Sequence, residues 1–369
     1  MLRHTLRTLL DLPARLRFRR QLAGRSLQPP TGEPVLNYGE VLHADGLVAG
    51  GKVKLLHLRE RWPELASFNV LYLVSSAIPR FVLDLVWWAR RAGAKLVWNQ
   101  NGVGFPAWSG RRTRDINRPM DACLREADAV VYQSHFCRES ADRWLHPITA
   151  PSRILYNPVD TSAFRPAPAP PNPGEGWRLL AAGTHYQAFR ILGALATLRA
   201  LLDAGHRAHL TVAGTIRRAG VTAQVHAEIS RLRLGEHVTL LPAFSQAEAV
   251  QLFQSAHVLL HLKYHDPCPT IAIESLACGV PVIASRSGGM AELVGDDGGE
   301  LVPVPLSWDE ATYPPPASLA TAVTSVMSNW SARRTAARTR AETMFRKEAW
   351  VEAHARLFEE LLTGQSPAL

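Results

Sequence analysis

The sequence predicts an α/β protein made of two doubly wound parallel-sheet domains that face a common cleft. Three observations carry this expectation. From Val35 onward, short apolar runs alternate with helical patterns. The alternation is interrupted once, by a Pro-rich stretch, and then restarts. The chain has 369 residues, 47% of them hydrophobic, which is ample for two cores. Runs that are apolar on both faces and separated by helices belong in covered parallel sheets. Ligands in such sheets bind beyond the carboxyl ends of the strands.

The elements follow in order. Residues 1–34 are a basic segment, "MLRHTLRTLLDLPARLRFRR" and its continuation. Leu2, Leu6, Leu9 and Leu10 stand at helical spacing, and Pro13 is expected to break or restart the helix. Residues 35–165 are assigned to the first domain. In it "NVLYLVSS", "AKLVWNQNG", "DAVVYQS" and "SRILYNPVD" read as strands, and "RFVLDLVWWARRAG", "MDACLREA" and "HFCRESADRWL" as helices. Residues 166–176 hold five Pro and two Gly, a semi-rigid linker composition. Residues 177–345 are assigned to the second domain. Its strands read as "WRLLAAGT", "AHLTVAGT", "VTLLPAF", "HVLLHLK" and "VPVIAS". Its helices read as "RILGALATLRALLDAG", "QVHAEISRLRLG", "SQAEAVQLFQSA" with Ser245 as N-cap, "TIAIESLACG" and "MAELVGD". Residues 346–369 hold a last helix with Trp350, Val351, Ala355, Leu357, Phe358, Leu361 and Leu362 on one apolar face.

Composition excludes several classes. Seven Arg and one Asp fall in residues 1–25, so +6 of the net +9 sits there and the other 344 residues carry +3. A nucleic-acid groove along the chain is a poor reading of that distribution. A basic amphipathic head fits an anionic membrane face; a disordered or locally packed terminus is the other reading. Arg7 and Asp11 interrupt any signal-peptide core, and no run reaches about 18 apolar residues. The expected location is cytoplasmic, peripheral at most on the inner face of the membrane. Cys123, Cys137, Cys268 and Cys278 show no CxxC and no paired spacing, against a disulfide framework or a zinc site. "VGDDGG", with Asp296 and Asp297, reads as a turn, so no cofactor and no obligatory metal are expected.

The chemistry concentrates in "HDPCPTIAIESLACGVPVIA", His265 to Ala284. Pro267 and Pro269 stiffen a loop, and a helix starts near Thr270, where free N–H groups and the helix dipole favour phosphate. Asp266 on the loop and Glu274 in the helix stand eight positions apart, each able to accept from hydroxyls. Gly288 and Gly289, in "SRSGGMAE", permit close approach of backbone to a ligand. Two acids around a diphosphate-binding helix start suit a nucleotide sugar. Each piece also has a plainer reading: a dipole partner for Glu274, an ordinary turn for the glycines.

This stretch resembles the mark of glycosyltransferase family 4, E-x7-E followed by a small residue, A-x-G-x-P and V-x-x-S/T. Here it is D-x7-E, in "DPCPTIAIESLACGVPVIASRSGG". The first acid is one methylene short, about 1.5 Å of reach. A second family mark, N-x-V-D-x-x-x-F-x-P, stands intact as "NPVDTSAFRP", Asn157 to Pro166. The resemblance implies the GT-B fold and a retaining enzyme. A sugar would pass from a UDP- or GDP-sugar to a hydroxyl on a glycan or lipid-linked acceptor, in cell-surface polysaccharide or glycolipid assembly. It implies front-face substitution, with the diphosphate leaving and helping to remove the acceptor proton.

By position, the resemblance gives Glu274 the ribose and Asp266 the donor sugar's hydroxyls. It sets the backbone of Pro269, Thr270 and Ile271 against the sugar or diphosphate. The family's basic pair for the leaving group corresponds to "GTHYQAFRI": Arg190 matches its Lys, and His185 lies where its Arg is expected. Gly50 and Gly51 of "VAGGKVK" match a glycine-rich first loop, with an ordinary turn as the plainer reading. Asn101 falls where many members carry a His, and an Asn there orients rather than takes a proton. Phe244 of "LPAF" is a candidate for the base pocket, and the last helix is expected to cross back to the first domain. A nucleotide-sugar epimerase or phosphorylase on the same fold, and a non-catalytic nucleotide-sugar-binding scaffold, stand beside the transferase reading.

Overall fold

The computed structural model describes residues 2–24, 31–42 and 50–364. The first domain contains α1 (Leu2–Ala23), β1 (Leu36–Asn37), α2 (Val53–Arg61), β2 (Val70–Val74), α3 (Val82–Arg91), β3 (Lys95–Gln100), α4 (Pro106–Ser109), α5 (Thr113–Arg125), β4 (Ala129–Tyr132), α6 (His135–Trp144) and β5 (Ser152–Ile154). Its strands pair in parallel in the order β1-β2-β3-β4-β5. Alternation along β2 explains the layers. Leu71 and Leu73 face α3, α5 and α6, whereas Val70, Tyr72 and Val74 face α2 and the C-terminal helix.

The second domain runs β6 (Trp177–Ala182), α7 (Phe189–Asp203), β7 (Ala208–Ala213), α8 (Val221–Arg231), β8 (Val238–Leu241), α9 (Gln246–Gln254), β9 (Val258–His261), α10 (Thr270–Ala277), β10 (Val282–Ser285), α11 (Met290–Val294), β11 (Gly299–Val302), α12 (Pro316–Ser328), α13 (Trp330–Met344). The parallel order is β11-β10-β9-β6-β7-β8, so the winding reverses between β6 and β9. Two apolar layers sandwich this sheet, one around α10 and α13 and the other around α7 and α12. The elements expected for this domain stop at the helix of "MAELVGD"; within the assigned bounds 177–345 the structure adds β11, α12 and α13. Ser245 caps α9, reciprocated by Glu248 in a capping box.

α14 (Lys347–Thr363) returns to the first domain and buries Trp350, Ala355, Leu357 and Phe358 against Leu36, Leu55, Leu58 and Tyr72. Its start pairs with the other passage between domains. Val159 N donates to Phe345 O at 2.7 Å, Lys347 N donates to Val159 O at 3.0 Å, and Lys347 Nζ lies 2.9 Å from Asp160. Val159 and Phe164 are already core residues of the second domain. The crossing therefore lies before the Pro-rich segment, not within it. Residues 166–176 lie against the second domain, where Ala167 O accepts from Arg334 and Pro171 O contacts His257.

The head differs from expectation as well. α1 runs through Pro13 without a break. Proline removes one helical hydrogen bond, and tertiary anchoring offsets that loss. Arg15 and Arg19 both bind the Asp84 carboxylate, while Phe18 and Leu22 pack into the first domain. The side chains of Leu2, Leu6, Leu9 and Leu10 lie outside the described residues, so the apolar stripe proposed for them is not described.

Candidate active site

The reversal between β6 and β9 locates the site, because a crevice opens where neighbouring strands send their connections to opposite sides. β6 leads into Gly183, His185 and Arg190, and β9 leads into Lys263 and Asp266. Arg190 sits in the first turn of α7, only 8% exposed. Its Nη1 donates to Thr184 O at 2.8 Å, and its buried Nε has no partner among the described residues. Burial lowers the pKa of this guanidinium, and the charge of Asp266 acts in the opposite direction.

Asp266 Oδ2 accepts from His261 Nε2 at 3.1 Å and lies 3.1 Å from Lys263 Nζ. Burial would raise the carboxyl, but the Lys263 charge and the His261 hydrogen bond outweigh it and keep Asp266 ionised. The preceding His265 has φ +49°, a left-handed turn that aims Asp266 inward. Rings of Phe105, Phe136, Tyr264 and Trp308 surround His265 and fix that turn.

α10 starts at the same crevice. Pro269 precedes its first turn with no side-chain cap, so the N–H groups of Thr270 and Ile271 open the helix toward the cleft. A Cβ on Gly183 would meet Ile271 Cδ1 at 3.5 Å, which sets the β6 loop directly against this helix start. Glu274, one turn in, accepts from Gln246 Nε2 at 3.2 Å. Burial pushes its carboxyl up to about 7. Phe244 packs against the apolar layer around α10, just before Ser245, the N-cap of α9.

Several expectations need correction. On their Cβ side, Gly288 and Gly289 are taken up by backbone packing. A Cβ on Gly288 would fall 2.5 Å from Asp266 O, and one on Gly289 only 2.0 Å from Pro267 O. These glycines let the Asp266 loop rest on the next turn, and Gly289 N donates to Asp266 O at 2.9 Å. His185 stands on the β6 loop near Arg190. Burial and the Arg190 charge lower it to about 4, so it is neutral near pH 7. The second positive charge is Lys263, whose signal in the sequence is its i,i+3 spacing to Asp266.

Asn101 faces the protein at both ends of its amide. Oδ1 accepts from Lys54 at 2.7 Å, and Nδ2 donates to Ser76 at 2.6 Å. Gly50–Lys52 is a 3₁₀ turn that leads straight into α2; Val48 and Ala49 of the expected loop lie outside the described residues. A Cβ on Gly51 would collide with Ser76 Oγ at 1.8 Å, so Gly51 is needed for packing under Asn101. Sequence reasoning missed Glu292. Its carboxylate accepts from the N–H groups of His135 and Phe136 at 2.7 and 2.8 Å, capping α6 across the domain boundary. It also missed the aromatic clasp, in which Trp308 stacks on Phe136 and its carbonyl accepts from Ala107 N.

With this geometry in hand, the relatives can be placed. Residues 181–342 match the family model described as glycosyl transferases group 1. The matched stretch is less than half of the chain. It holds Arg190, Lys263, Asp266 and Glu274 and ends before α14. A GDP-mannose-dependent alpha-(1-6)-phosphatidylinositol dimannoside mannosyltransferase of Mycobacterium tuberculosis is 27% identical over 287 residues, covering 74% of this chain and 65% of its own length. A D-inositol 3-phosphate glycosyltransferase of Streptomyces bingchenggensis is 35% identical over 81 residues, 22% of this chain and 18% of its own. Among solved structures, sucrose-phosphate synthase from Thermosynechococcus elongatus superposes with a TM-score of 0.64 at 18% identity, covering 92% of this chain and 88% of its own. Anabaena HepE with UDP and glucose superposes at 0.63 and 15% identity, over 84% and 80%. The overall fold is GT-B.

All four cysteines are free and buried. Among the described residues, no group of three or more His, Cys, Asp or Glu could hold a metal ion, and no helix is long and apolar enough to cross a membrane.

Proposed function

We propose that this protein is a retaining glycosyltransferase that moves a sugar from a nucleotide-sugar donor to a hydroxyl of a glycan or lipid-linked acceptor. The observation that carries the reading is Arg190: a buried guanidinium with an unpartnered Nε, at the strand-order reversal, electrostatically coupled to Asp266. A buried donor without a partner suits an anionic group that is present only with ligand. A diphosphate fits, held between Arg190, Lys263 and the start of α10.

In the proposed reaction the bond from the sugar's anomeric carbon to the diphosphate breaks as that to the acceptor oxygen forms on the same face. The acceptor proton passes to the departing phosphate oxygen. The protein's share is positioning and stabilising the leaving charge. Arg190 and Lys263 supply that charge, so we expect EDTA to leave turnover unchanged. Asp266 accepts from the sugar's hydroxyls and Glu274 from the ribose.

For the acceptor, a cavity of about 690 Å³ between α1 and the first domain supports a lipid-linked molecule. Phe18, Phe81 and Trp88 line it, and Arg17, Lys52 and Arg80 bring positive charge to it. The mannosyltransferase relative is named for a phosphatidylinositol-based acceptor, which agrees in kind. Contact with an anionic membrane face from the cytoplasmic side belongs to the same proposal.

The test is a thermal-shift panel of UDP-, GDP- and ADP-sugars on the wild type and Glu274→Ala. One nucleotide class should raise Tm in the wild type and do so less in the variant. No stabilisation by any member, together with no release of nucleoside diphosphate in the presence of a membrane lipid extract, would sink the reading.

A further inference from the structure

Lys54 is a buried cation that the proposed chemistry leaves unused. It lies in the first turn of α2 and is 3% exposed. Its ammonium donates to Asn99 Oδ1 and Asn101 Oδ1, both at 2.7 Å, to Asn157 Oδ1 at 3.2 Å and, more weakly, to Gln133 Oε1 at 3.4 Å. All four acceptors are neutral amides, and among the described residues no carboxylate pairs with it. Burial lowers its pKa to about 8.

A buried charge without a counter-charge is a costly way to fill space. The partners show what it holds together. Asn99 and Asn101 come from the end of β3, Gln133 from the end of β4, and Asn157 from the passage into the second domain. Asn157 Nδ2 in turn donates to Cys268 O at 2.7 Å, inside the Asp266–Pro269 loop. A second route reaches the same loop: a Cβ on Gly102, the neighbour of Asn101, would stand 3.3 Å from Pro267 Cγ. An ammonium satisfies this convergence because its donors radiate from one point toward acceptors on three segments.

We propose that Lys54 is a positioning residue that sets the register between the first-domain strand ends and the Asp266 loop across the cleft. It acts through Asn101 and Asn157, and it touches neither donor nor acceptor. The inference rests on the transferase reading for its effect on rate, but not for its effect on geometry.

Two variants separate the roles. Lys54→Met keeps the length and removes the ammonium. Asn157→Asp keeps an acceptor for Lys54, and supplies it with a counter-charge, while removing the donor to Cys268 O. Spin labels on cysteines replacing exposed Arg91 and Arg231 report the distance between domains by pulsed EPR. Both variants should broaden the label-to-label distribution. Affinity for the free nucleoside diphosphate, a second-domain property, should stay within about twofold, and transfer to acceptor should fall at least about tenfold. A purely stabilising Lys54 predicts otherwise for Asn157→Asp: unchanged distances and unchanged transfer. A distance distribution as narrow as wild type in that variant overturns the proposal, whether or not Lys54→Met folds. Absence of transfer in the wild type would count against the transferase reading alone, since the EPR comparison is read without turnover.

Discussion

The two walls of the cleft are built from opposite chemistry. The second-domain wall is charged: Arg190, Lys263, Asp266 and Glu274 gather where the strand order reverses. The first-domain wall is amide-rich: Asn99, Asn101 and Gln133 surround one enclosed ammonium. Sheet topology accounts for the contrast. The reversal between β6 and β9 opens a crevice into which a charged ligand fits. In the first domain the amides at the ends of β3 and β4 converge on the Lys54 ammonium instead. The difference teaches that this molecule keeps its strong fields on the second-domain side and its shape-setting bonds on the other.

The sharpest way to break the comparison is at Arg190. If the charged wall carries the leaving group, Arg190→Ala should lower kcat by ~10²–10³ and change the donor KM far less. Equal turnover in steady-state assays would remove Arg190 from the reaction. Next comes Glu274→Ala, which should weaken donor binding by ~1.5–3 kcal/mol above pH 7, where the carboxyl is ionised and its hydrogen bond is one to a charged group; calorimetric titration with the donor at pH 8 measures it. An unchanged Kd in a folded variant would end the ribose assignment.

The same carboxyl gives a pH signature. Burial raises Glu274 from 4.5 to about 7, so the folded state binds a proton that the unfolded chain has released. Stability from this group therefore declines as pH rises from about 4.5 to about 7, by at most ~3 kcal/mol, and is level above that. Asp266 works in the opposite sense, and its contribution is lost only below the ordinary carboxylate range. Chemical denaturation between pH 5 and 7.5 should show a steeper decline for wild type than for Glu274→Gln; parallel curves would mean that Glu274 is not protonated in the fold.

The smallest effect tests the seam between the walls. Glu292→Gln weakens the cap on α6 and should lower stability by ~1 kcal/mol without altering donor affinity. A loss of donor affinity of tenfold or more would show that the seam and the charged wall are one unit.

Much of this was legible before any coordinates. Strands such as Val70–Val74 and Val282–Ser285 are short, apolar on both faces and flanked by helices, so local pattern and tertiary environment agree. Asp266 and Glu274 stood out because their spacing is local: one loop and one helical turn fix both. What escaped notice was long-range. Lys54 and Asn157 are 103 positions apart, and Glu292 and His135 are 157. Gly288 and Gly289 looked like a ligand turn, because sequence cannot show that the space beside them is filled by the backbone of Asp266 and Pro267. Pro13 looked like a helix end, because the Arg15 and Arg19 bonds to Asp84 were out of view.

By itself the sequence determined the two α/β units, the loop–helix unit with its two acids and the helix that closes the chain. These depend on periodicity and short spacing, which the chain carries locally. Only the tertiary structure decided which cations face Asp266, which glycines pack against the Asp266 loop, and that a buried lysine ties the two walls together. Those outcomes depend on the order of strands in each sheet and on how the domains meet. Pairing energies between distant segments set both, and no window of sequence contains them.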